Sequence, residues 1–543
     1  MPDRSLSRRT FLKAGALGGA AAAASEPHAG PSGHGEIRGP SLPPFDLEDV
    51  SIATLQERMA SGAETSRSIT NKYLARIAAL DSAGPTLRQV LETNPDALAL
   101  AAERDAERRS GRIRGPLHGV PILLKDNIGT ADRMTTTAGS LALEGAIPAK
   151  DSFVAARLRE AGAVLLGKTN MSEWANFRST RSTSGWSGRG GLGRNPYALD
   201  RNTSGSSSGS GAAVAASYAA AAIGTETDGS IVSPANNTCL VGIKPTLGLV
   251  SRSGIIPIAH TQDTAGPMAR TVADAVAVLM AIAAVDPADA ETAGSASADR
   301  QYTRALVAGG LEGTRIGVPR KSLFGGSSHA DRQIDEALVV MRSLGAEIVD
   351  PVDLTMPDDL GDDELEVLLY EFKTDVNAYL ASLGEGARVK SLKEAIAFNE
   401  ANRDREMPFF GQELFVRAEA KGPLTSPDYL AALGRIRQAT RKNGIDAVMS
   451  AHRLDALVAP TSGPPSLTDL VNGDYGPGGA SSIPAIAGYP HITVPAGFAF
   501  GLPVGLSIFG RAWSETTLIR IAYAYEQATK HRRPPRFLAT AQF

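Results

Sequence analysis

Residues Ser204 to Ile231 read SGSSSGSGAAVAASYAAAAIGTETDGSI. This stretch begins with a loop of Gly and Ser, Ser204 to Gly211, and continues through an uncharged apolar run, Ala212 to Ile223. It ends in a second hydroxyl-rich loop, Gly224 to Ile231. Small residues let a backbone approach a ligand closely. Because a flexible linker is not normally continued by a buried helix, we expect the apolar run to be helical and to connect two loops of a ligand site.

Segments on either side of this stretch alternate between helical and strand-like patterns. Apolar residues at helical spacing predict a helix over 69–80, and Pro95 opens a second helix that runs toward Arg109. Apolar runs predict strands at Val120–Leu124, Ala163–Leu166, Ala456–Pro460, His491–Pro495 and Val504–Phe509, and helices are predicted at Ser152–Glu160 and Glu515–Thr529. This alternation predicts an α/β fold.

Residues 302–442 differ from the rest because they are mostly charged and helical, with one αβ unit from Ile334 to Ile348. We interpret them as a helical insertion that walls the active site. The substrate pocket is expected to draw on this insertion and on Gly478 to Tyr489.

Composition limits the class of protein. The chain has 543 residues, of which 43% are hydrophobic and 21% charged, which is ordinary for a globular protein with a large core. The net charge is −3, and the densest basic stretch, Arg104 to Arg114, contains interleaved acids, so we predict no nucleic-acid partner. A single cysteine, Cys239, excludes a disulfide within the chain and predicts a buried, inert thiol.

The first residues resemble a targeting signal. Arg8 and Arg9 precede a short apolar run, Ala14 to Ala24, in the form of a twin-arginine signal. A membrane anchor is the alternative, but a span needs about 20 strongly apolar residues. We therefore predict a signal peptide over 1–25, a flexible lead over 26–45, one catalytic domain over 46–543, no stable membrane span, and export to the periplasm or the exterior.

Two familiar motifs are set aside. Residues 162–169 match the P-loop pattern, but Ala163 to Leu166 reads as a buried strand and not as a loop that cradles phosphate. Gly205 to Gly209 fits the G-x-S-x-G elbow with Ser207 as nucleophile, and it stays a minor alternative. No strongly apolar strand precedes Gly205, although candidate histidines follow at His452, His491 and His531.

Lys125 closes an apolar strand within Gly119 to Asn127. Burial disfavours the ammonium and lowers its pKa, so a buried lysine can act as a neutral base near pH 7. An ion pair with Asp126, or a side chain that reaches out to solvent, is the alternative. At the end of the second loop, consecutive N–H groups before Ser230 could form an oxyanion hole.

Together, these segments resemble the amidase-signature family. The flanks extend the match through 167–174, 242–246 and 263–267, and the resemblance covers about 50 to 535. Two positions depart from the family pattern, where Glu226 replaces an aspartate and Asp228 a glycine. Within the family, Trp174–Ser179, Gly205–Ser210 and Pro408–Glu413 look most like bacterial peptide amidases, which deamidate the C-terminal carboxamides of peptides.

This resemblance implies a single α/β domain with a twisted mixed sheet covered by helices on both faces. It also implies Ser230 as nucleophile, Ser206 as proton relay and Lys125 as base. The oxyanion hole would consist of the backbone N–H groups of Thr227, Asp228, Gly229 and Ser230, with Gly205, through a cis peptide, and Ser207, through Lys125, in supporting roles. The scattered histidines match no metal motif, and no metal or cofactor is expected.

The expected function is that of a serine amidohydrolase that releases ammonia from C-terminal peptide amides through an acyl-enzyme. Aryl-acylamidase, esterase or carbamate hydrolase activity stays open as an alternative. A glutamine-deamidating role together with transfer RNA is opposed by the export signal. An exported solute-binding protein is the non-enzyme alternative, and the oligomeric state is left open.

Overall fold

A mixed sheet of eleven strands forms the centre of the protein. The computed structural model describes residues 39–40, 42–384, 386–476 and 478–543. The strands are β1 (Val90–Thr93), β2 (Pro121–Lys125), β3 (Val164–Thr169), β4 (Trp186–Ser187), β5 (Gly191–Leu192), β6 (Ala221–Glu226), β7 (Val241–Lys244), β8 (Thr264–Ala269), β9 (Arg315–Gly317), β10 (Glu347–Val349), β11 (Ala456–Pro460), β12 (His491–Ala499) and β13 (Leu502–Phe509). The large sheet has the order β1-β3-β2-β6-β8-β7-β12-β13-β11-β9-β10, and β4 pairs with β5 separately.

Helices flank this sheet. They are α1 (Ile52–Ser61), α2 (Ser66–Leu80), α3 (Ala97–Arg109), α4 (Phe153–Glu160), α5 (Ser208–Ala215), α6 (Val232–Asn237), α7 (Val272–Ile282), α8 (Arg320–Leu323), α9 (Ser328–Ser343), α10 (Leu360–Ser382), α11 (Leu392–Ala401), α12 (Arg403–Glu406), α13 (Glu413–Glu419), α14 (Pro427–Arg437), α15 (Asp446–His452), α16 (Ser482–Ala487) and α17 (Glu515–Thr529). Short 3-10 helices cover Leu141–Leu143, Glu173–Asn176, Ala290–Ser297 and Tyr302–Ala305, and a π-helical segment covers Gln438–Ile445.

The sheet mixes both strand directions. Strands β3, β2 and β6 are parallel to one another, as are β11, β9 and β10, whereas the strands between these groups pair antiparallel. Every residue of β2 and β6 is buried. Strands covered on both faces read as continuous apolar runs, which is why the sequence pattern located β2. The predicted α/β fold is confirmed.

The stretch 204–231 differs from the prediction. A helix was expected over Ala212 to Ile223, but α5 ends at Ala215 and β6 begins at Ala221. Ser217 adopts a positive φ of 59° between them, which ends the helix. A short buried apolar run fits a helix and a strand equally well, so periodicity could not separate the two.

Residues 302–442 also divide into two parts. The first part contributes β9 and β10 to the edge of the large sheet, with α9 between them in the chain. Strand β9 pairs with β11. The second part is helical and contains α10 to α14. Of the predicted insertion, only this second part is a helical layer.

The predicted signal peptide, residues 1–25, lies outside the described residues, as does most of the predicted lead. At the end of that lead, Leu42 and Phe45 pack against the main core, and Phe45 lies 4.9 Å below the guanidinium of Arg76. The packed domain therefore includes residues before 46. None of the helices in the described ranges has the length and apolar character that a membrane crossing requires.

Candidate active site

Three segments meet at the carboxyl ends of β2 and β6, two strands inside the sheet. Strands β2 and β6 are parallel neighbours, with Leu124 opposite Ile223. Their carboxyl ends therefore lie side by side, which brings Lys125 next to the loop that follows β6. The third segment, at the start of α5, is joined to this loop because the Ser207 N–H donates to the Ser230 carbonyl at 3.2 Å.

Lys125 is fully buried. Its Nζ lies 2.7 Å from Ser206 Oγ, 2.9 Å from Thr225 Oγ1 and 3.2 Å from the Thr225 carbonyl oxygen. Burial lowers the pKa of Lys125 to about 7, against the opposing charges of Asp263 and Glu226. The amine is therefore divided between its charged and neutral forms at neutral pH.

Asp126 does not pair with Lys125. Consecutive residues at a strand end point to opposite sides, and the Asp126 carboxylate accepts hydrogen bonds from the Thr137 hydroxyl and, at 3.1 Å, from the Gly139 N–H. Arg189 lies 3.4 Å from its second oxygen. The ion-pair alternative for Lys125 is not what the structure contains.

The Gly/Ser loop holds its hydroxyl groups in different places. The Gly205–Ser206 peptide is cis, and a Cβ at Gly205 would lie 2.2 Å from Ser172 Oγ. Ser206 faces Lys125, whereas Ser207 Oγ donates to the Thr225 carbonyl at 3.1 Å and accepts from the Thr225 N–H at 3.2 Å. The resemblance implies that Ser207 helps to hold Lys125. In the structure, Ser207 contacts Thr225, and Thr225 contacts Lys125.

Ser230 lies at the turn between β6 and α6 and keeps 8% of its surface exposed. Glu226 Oε2 accepts hydrogen bonds from the N–H groups of Ile231 at 2.7 Å and Val232 at 3.0 Å. The carboxylate therefore anchors the turn immediately after Ser230. A glutamate fills this position in place of the aspartate of the family pattern.

The backbone N–H groups of Thr227, Asp228, Gly229 and Ser230 donate no hydrogen bond to any described residue. Gly229 has a positive φ of 75°, which glycine adopts without strain. Thr227 is tied down from both sides, because its Oγ1 donates to Asp263 Oδ1 at 2.6 Å and its carbonyl accepts from Gln262 Nε2 at 3.3 Å. This loop presents free donors on a fixed backbone.

A cavity of about 310 Å³ lies beside this loop. Its lining includes Ser233 and Ser481, and a Cβ at Gly229 would lie 3.0 and 2.9 Å from their hydroxyl oxygens. Gly478, Gly479 and Ser482 also line it, as the sequence suggested, but none of its described lining residues belongs to 302–442. That segment instead contributes Asp375 to a second cavity of about 110 Å³, which Thr225 and Thr227 also line.

Sequence reasoning missed three residues of this site. Thr225 bonds Lys125, Asn127 Nδ2 donates to Thr225 Oγ1 at 3.0 Å, and Gln262 holds Thr227. Thr225 and Asn127 lie within segments already singled out, so their polar side chains next to Lys125 and Glu226 were an available signal. Gln262 gave none, since its contact depends on how two distant loops pack.

The other motifs have structural roles. The P-loop pattern lies in strand β3, where Lys168 Nζ donates at 2.7 Å both to the Ile128 carbonyl and to Thr136 Oγ1. Cys239 lies just before β7 and is buried, which raises the pKa of its thiol.

The two segments that look most like peptide amidases, Trp174–Ser179 and Pro408–Glu413, pack together in the structure. Glu413 accepts a hydrogen bond from Ser179 Oγ at 2.9 Å, and the Phe410 ring lies 4.4 Å from the Arg178 guanidinium. The resemblance of these two short motifs therefore concerns one local unit.

Comparison with known proteins shows the family of the chain. The sequence profile of the family described as Amidase matches residues 68–519. A probable amidase of Arabidopsis thaliana is 42% identical over 513 residues, which cover 92% of this chain and 93% of the relative. A glutamyl-tRNA(Gln) amidotransferase chain of Chloroflexus aurantiacus is 36% identical over 506 residues, covering 91% of this chain and 99% of the relative.

Among solved structures, the native peptide amidase of Stenotrophomonas maltophilia superimposes with a TM-score of 0.85 at 52% identity, covering 91% of this chain and 99% of that chain. The profile match spans most of the chain, and the relatives align over nearly their full lengths. The chain therefore belongs to the amidase-signature family and is a hydrolase that acts on amide bonds.

Proposed function

We propose that the protein is a serine amidohydrolase with a Ser230–Ser206–Lys125 triad that removes ammonia from the C-terminal carboxamides of peptides. The observation that carries this proposal is the 2.7 Å hydrogen bond between Lys125 Nζ and Ser206 Oγ in a fully buried setting, with a lysine pKa of about 7. A neutral amine in that position is a base matched to physiological pH.

The surroundings of Lys125 orient its lone pair. In the neutral amine, two hydrogens point to the carbonyl and Oγ1 of Thr225, which leaves the lone pair for Ser206 Oγ. Ser230 Oγ attacks the carbonyl carbon of the substrate and passes its proton to Ser206, whose own proton moves to Lys125. The relay then reverses and protonates the leaving nitrogen, so that the C–N bond breaks and an acyl-enzyme on Ser230 forms.

Water completes the cycle by the same relay. It attacks the ester carbon of the acyl-enzyme while Ser206 and Lys125 accept its proton, and the acid product leaves Ser230 free. In both halves, the N–H groups from Thr227 to Ser230, which donate to no described residue, serve as the donors for the developing oxyanion. One such donor contributes about 3 kcal/mol to the transition state.

Two observations support a peptide carboxamide as substrate. One is the 52% identity to a peptide amidase. The other is the cavity beside Gly229, which is lined mainly by serine, asparagine and glycine. Asp474 is the one carboxylate among the described lining residues, and it already accepts hydrogen bonds from the Ser184 N–H at 3.0 Å and from Asn202 Nδ2 at 2.9 Å. A lining of mostly neutral polar residues suits neutral amide groups.

Aryl amides, esters and carbamates are the alternative substrate class, because the same serine chemistry hydrolyses them. Family membership removes the solute-binding alternative. The net charge of −3 supports a function without nucleic acid, and therefore disfavours a transfer-RNA-dependent role like that of the amidotransferase relatives.

We predict that Ser230→Ala and Lys125→Met abolish amide hydrolysis. Loss of the nucleophile should lower kcat by about 10⁶-fold and loss of the base by about 10²- to 10⁴-fold. Methionine matches the length of the lysine stem, so the fold should persist. Ammonia release measures activity, and circular dichroism checks folding. Undiminished turnover by Ser230→Ala would end the assignment.

The rate should rise with pH. Only neutral Lys125 can accept the proton, so kcat/KM for an uncharged N-acetyl peptide amide should increase through a pKa near 7 and then level off. Two pH units below that pKa, at pH 5, the rate should be about 100-fold below the plateau. Stopped assays of ammonia release across the pH range test this expectation. If kcat/KM did not change between pH 5 and pH 9, Lys125 would not be the base.

A substrate panel tests the specificity. We expect a peptide C-terminal amide to be hydrolysed with the highest kcat/KM, and an internal peptide bond, an anilide and an ester to be poorer substrates. Product analysis by mass spectrometry reads all four. If the anilide or the ester is preferred at least tenfold, the peptide-amidase proposal is wrong, although the serine mechanism would stand.

The twin-arginine pattern leads us to propose export. Replacing both Arg8 and Arg9 by lysine should retain the full-length precursor in the cytoplasm of a bacterial host, because the twin-arginine route requires the pair. Fractionation followed by immunoblotting measures this, with a substitution of Lys13 as the matched control. Equal distribution of the double variant and the native chain would contradict the proposal.

A further inference from the structure

Three acidic residues on one face of α10 accept hydrogen bonds from three consecutive residues, 260–262, of the loop that follows β7. Asp375 Oδ2 accepts from the His260 N–H and from His260 Nδ1, both at 2.9 Å. Glu371 Oε2 accepts from the Thr261 N–H and Oγ1, both at 3.0 Å. Glu364 Oε1 accepts from Gln262 Nε2 at 2.8 Å. Positions 364, 371 and 375 share one helix face by their spacing, so this acidic face holds the loop as a unit.

The same loop also forms hydrogen bonds with Thr227, one of the residues whose N–H groups are candidate oxyanion donors. Gln262 Nε2 donates a second hydrogen bond to the Thr227 carbonyl at 3.3 Å, and the next residue, Asp263, accepts from Thr227 Oγ1 at 2.6 Å. The Thr227 carbonyl and the Asp228 N–H belong to one planar peptide group. Fixing the direction of the carbonyl therefore fixes the direction of the N–H.

We propose that Gln262 and Glu364 are positioning residues of the amidase reaction, which aim the Asp228 N–H at the oxyanion by holding the Thr227 carbonyl. This inference rests on the proposed role of the Thr227–Ser230 loop. Glu364 orients the Gln262 amide, and Gln262 passes that orientation to the peptide group. The helical layer thus acts on the chemistry without lining the cavity beside Gly229.

Burial supports a dedicated role for this pair. Gln262 is 1% and Glu364 is 9% exposed. Gln262 Nε2 donates to both Thr227 and Glu364, whereas Gln262 Oε1 accepts no hydrogen bond from the described residues. Burial of a partly satisfied amide is costly, which indicates a use beyond packing. Burial, together with the charge of the neighbouring Asp228 carboxylate, raises the pKa of Glu364 and favours its neutral form. A neutral Glu364 still accepts the hydrogen bond from Gln262 Nε2.

A metal site is the competing interpretation of this face. His260, Glu371 and Asp375 offer ligand atoms within 4.8 Å of one another. However, each carboxylate oxygen that faces His260 already accepts two hydrogen bonds from the loop, and His260 Nδ1 is engaged with Asp375. The cluster is satisfied as a protein contact, which favours the positioning role.

The experiment compares Gln262→Leu and Glu364→Leu with two controls, Glu364→Gln and Asp362→Asn. Glutamine at 364 can still accept from Gln262 through its side-chain carbonyl, and Asp362 is an exposed acid on the same helix. We expect the two leucine variants to lose about 10- to 100-fold in kcat with KM changed less than about threefold, because a small misplacement of an oxyanion donor acts on the transition state. Both controls should stay within about threefold of the native enzyme.

A second readout separates positioning from general structural damage. A peptide aldehyde forms a tetrahedral adduct with an active-site serine, whereas the carboxylate product does not. Aldehyde affinity should therefore fall in parallel with kcat, while product affinity should not change. If Gln262→Leu does not fold, Gln262→Asn replaces it, since its amide is one methylene too short to reach both Thr227 and Glu364.

The outcomes are distinct. Native kcat in the leucine variants, or equal losses of aldehyde and product affinity, would overturn the inference. The same assay includes Ser230→Ala. If that variant stays active, the proposed function itself fails, whereas an inactive Ser230→Ala beside a fully active Gln262→Leu rejects only the positioning role.

Discussion

The burial of one lysine amine governs the rest of this site. Lys125 reaches the end of a strand that is covered on both faces, so water cannot stabilise its ammonium form. Its close partners are the hydroxyls of Ser206 and Thr225 and a backbone carbonyl, whereas the carboxylates of Asp263 and Glu226 raise its pKa without pairing with it. A direct ion pair would hold the proton on the amine, and full isolation would prevent the amine from accepting one.

The site depends on two kinds of support. Hydrogen bonds from backbone to side chain fix the turn around Ser230, as Glu226 shows by accepting from the two N–H groups that follow it. Contacts between distant segments then set the orientation of the loop, through Gln262 and Glu364. The first kind is local and follows from neighbouring residues. The second reaches from the carboxyl ends of β2 and β6 to the helical layer, which gives that layer a part in the chemistry.

Buried acidic residues lie near the loop from Thr227 to Ser230, and their charge affects the stability of an anion formed there. Burial raises the pKa of Asp228 and of Glu226, and Lys244 offsets part of this effect for both. An anionic transition state beside unshielded carboxylates would be disfavoured by like-charge repulsion. For Asp228, a departure from the family pattern, and for Glu226, a raised pKa favours the neutral acid, which lessens the repulsion of the proposed oxyanion.

The resemblance to the amidase-signature family suggests Lys125, Ser206 and Ser230 as the site residues. From its own pattern, the sequence predicts the fold class and five of the strands, because strands buried on both faces are continuous apolar runs. It could not divide Ala212 to Ile223 into α5 and β6, since an apolar run of that kind suits either structure. The contact of Thr225, and not of Ser207, with Lys125 depends on the packing of the folded chain. The same holds for the hydrogen bonds that Gln262 donates to Glu364 and to the Thr227 carbonyl. Such contacts join residues far apart in the chain, and no local pattern encodes the packing that brings them together.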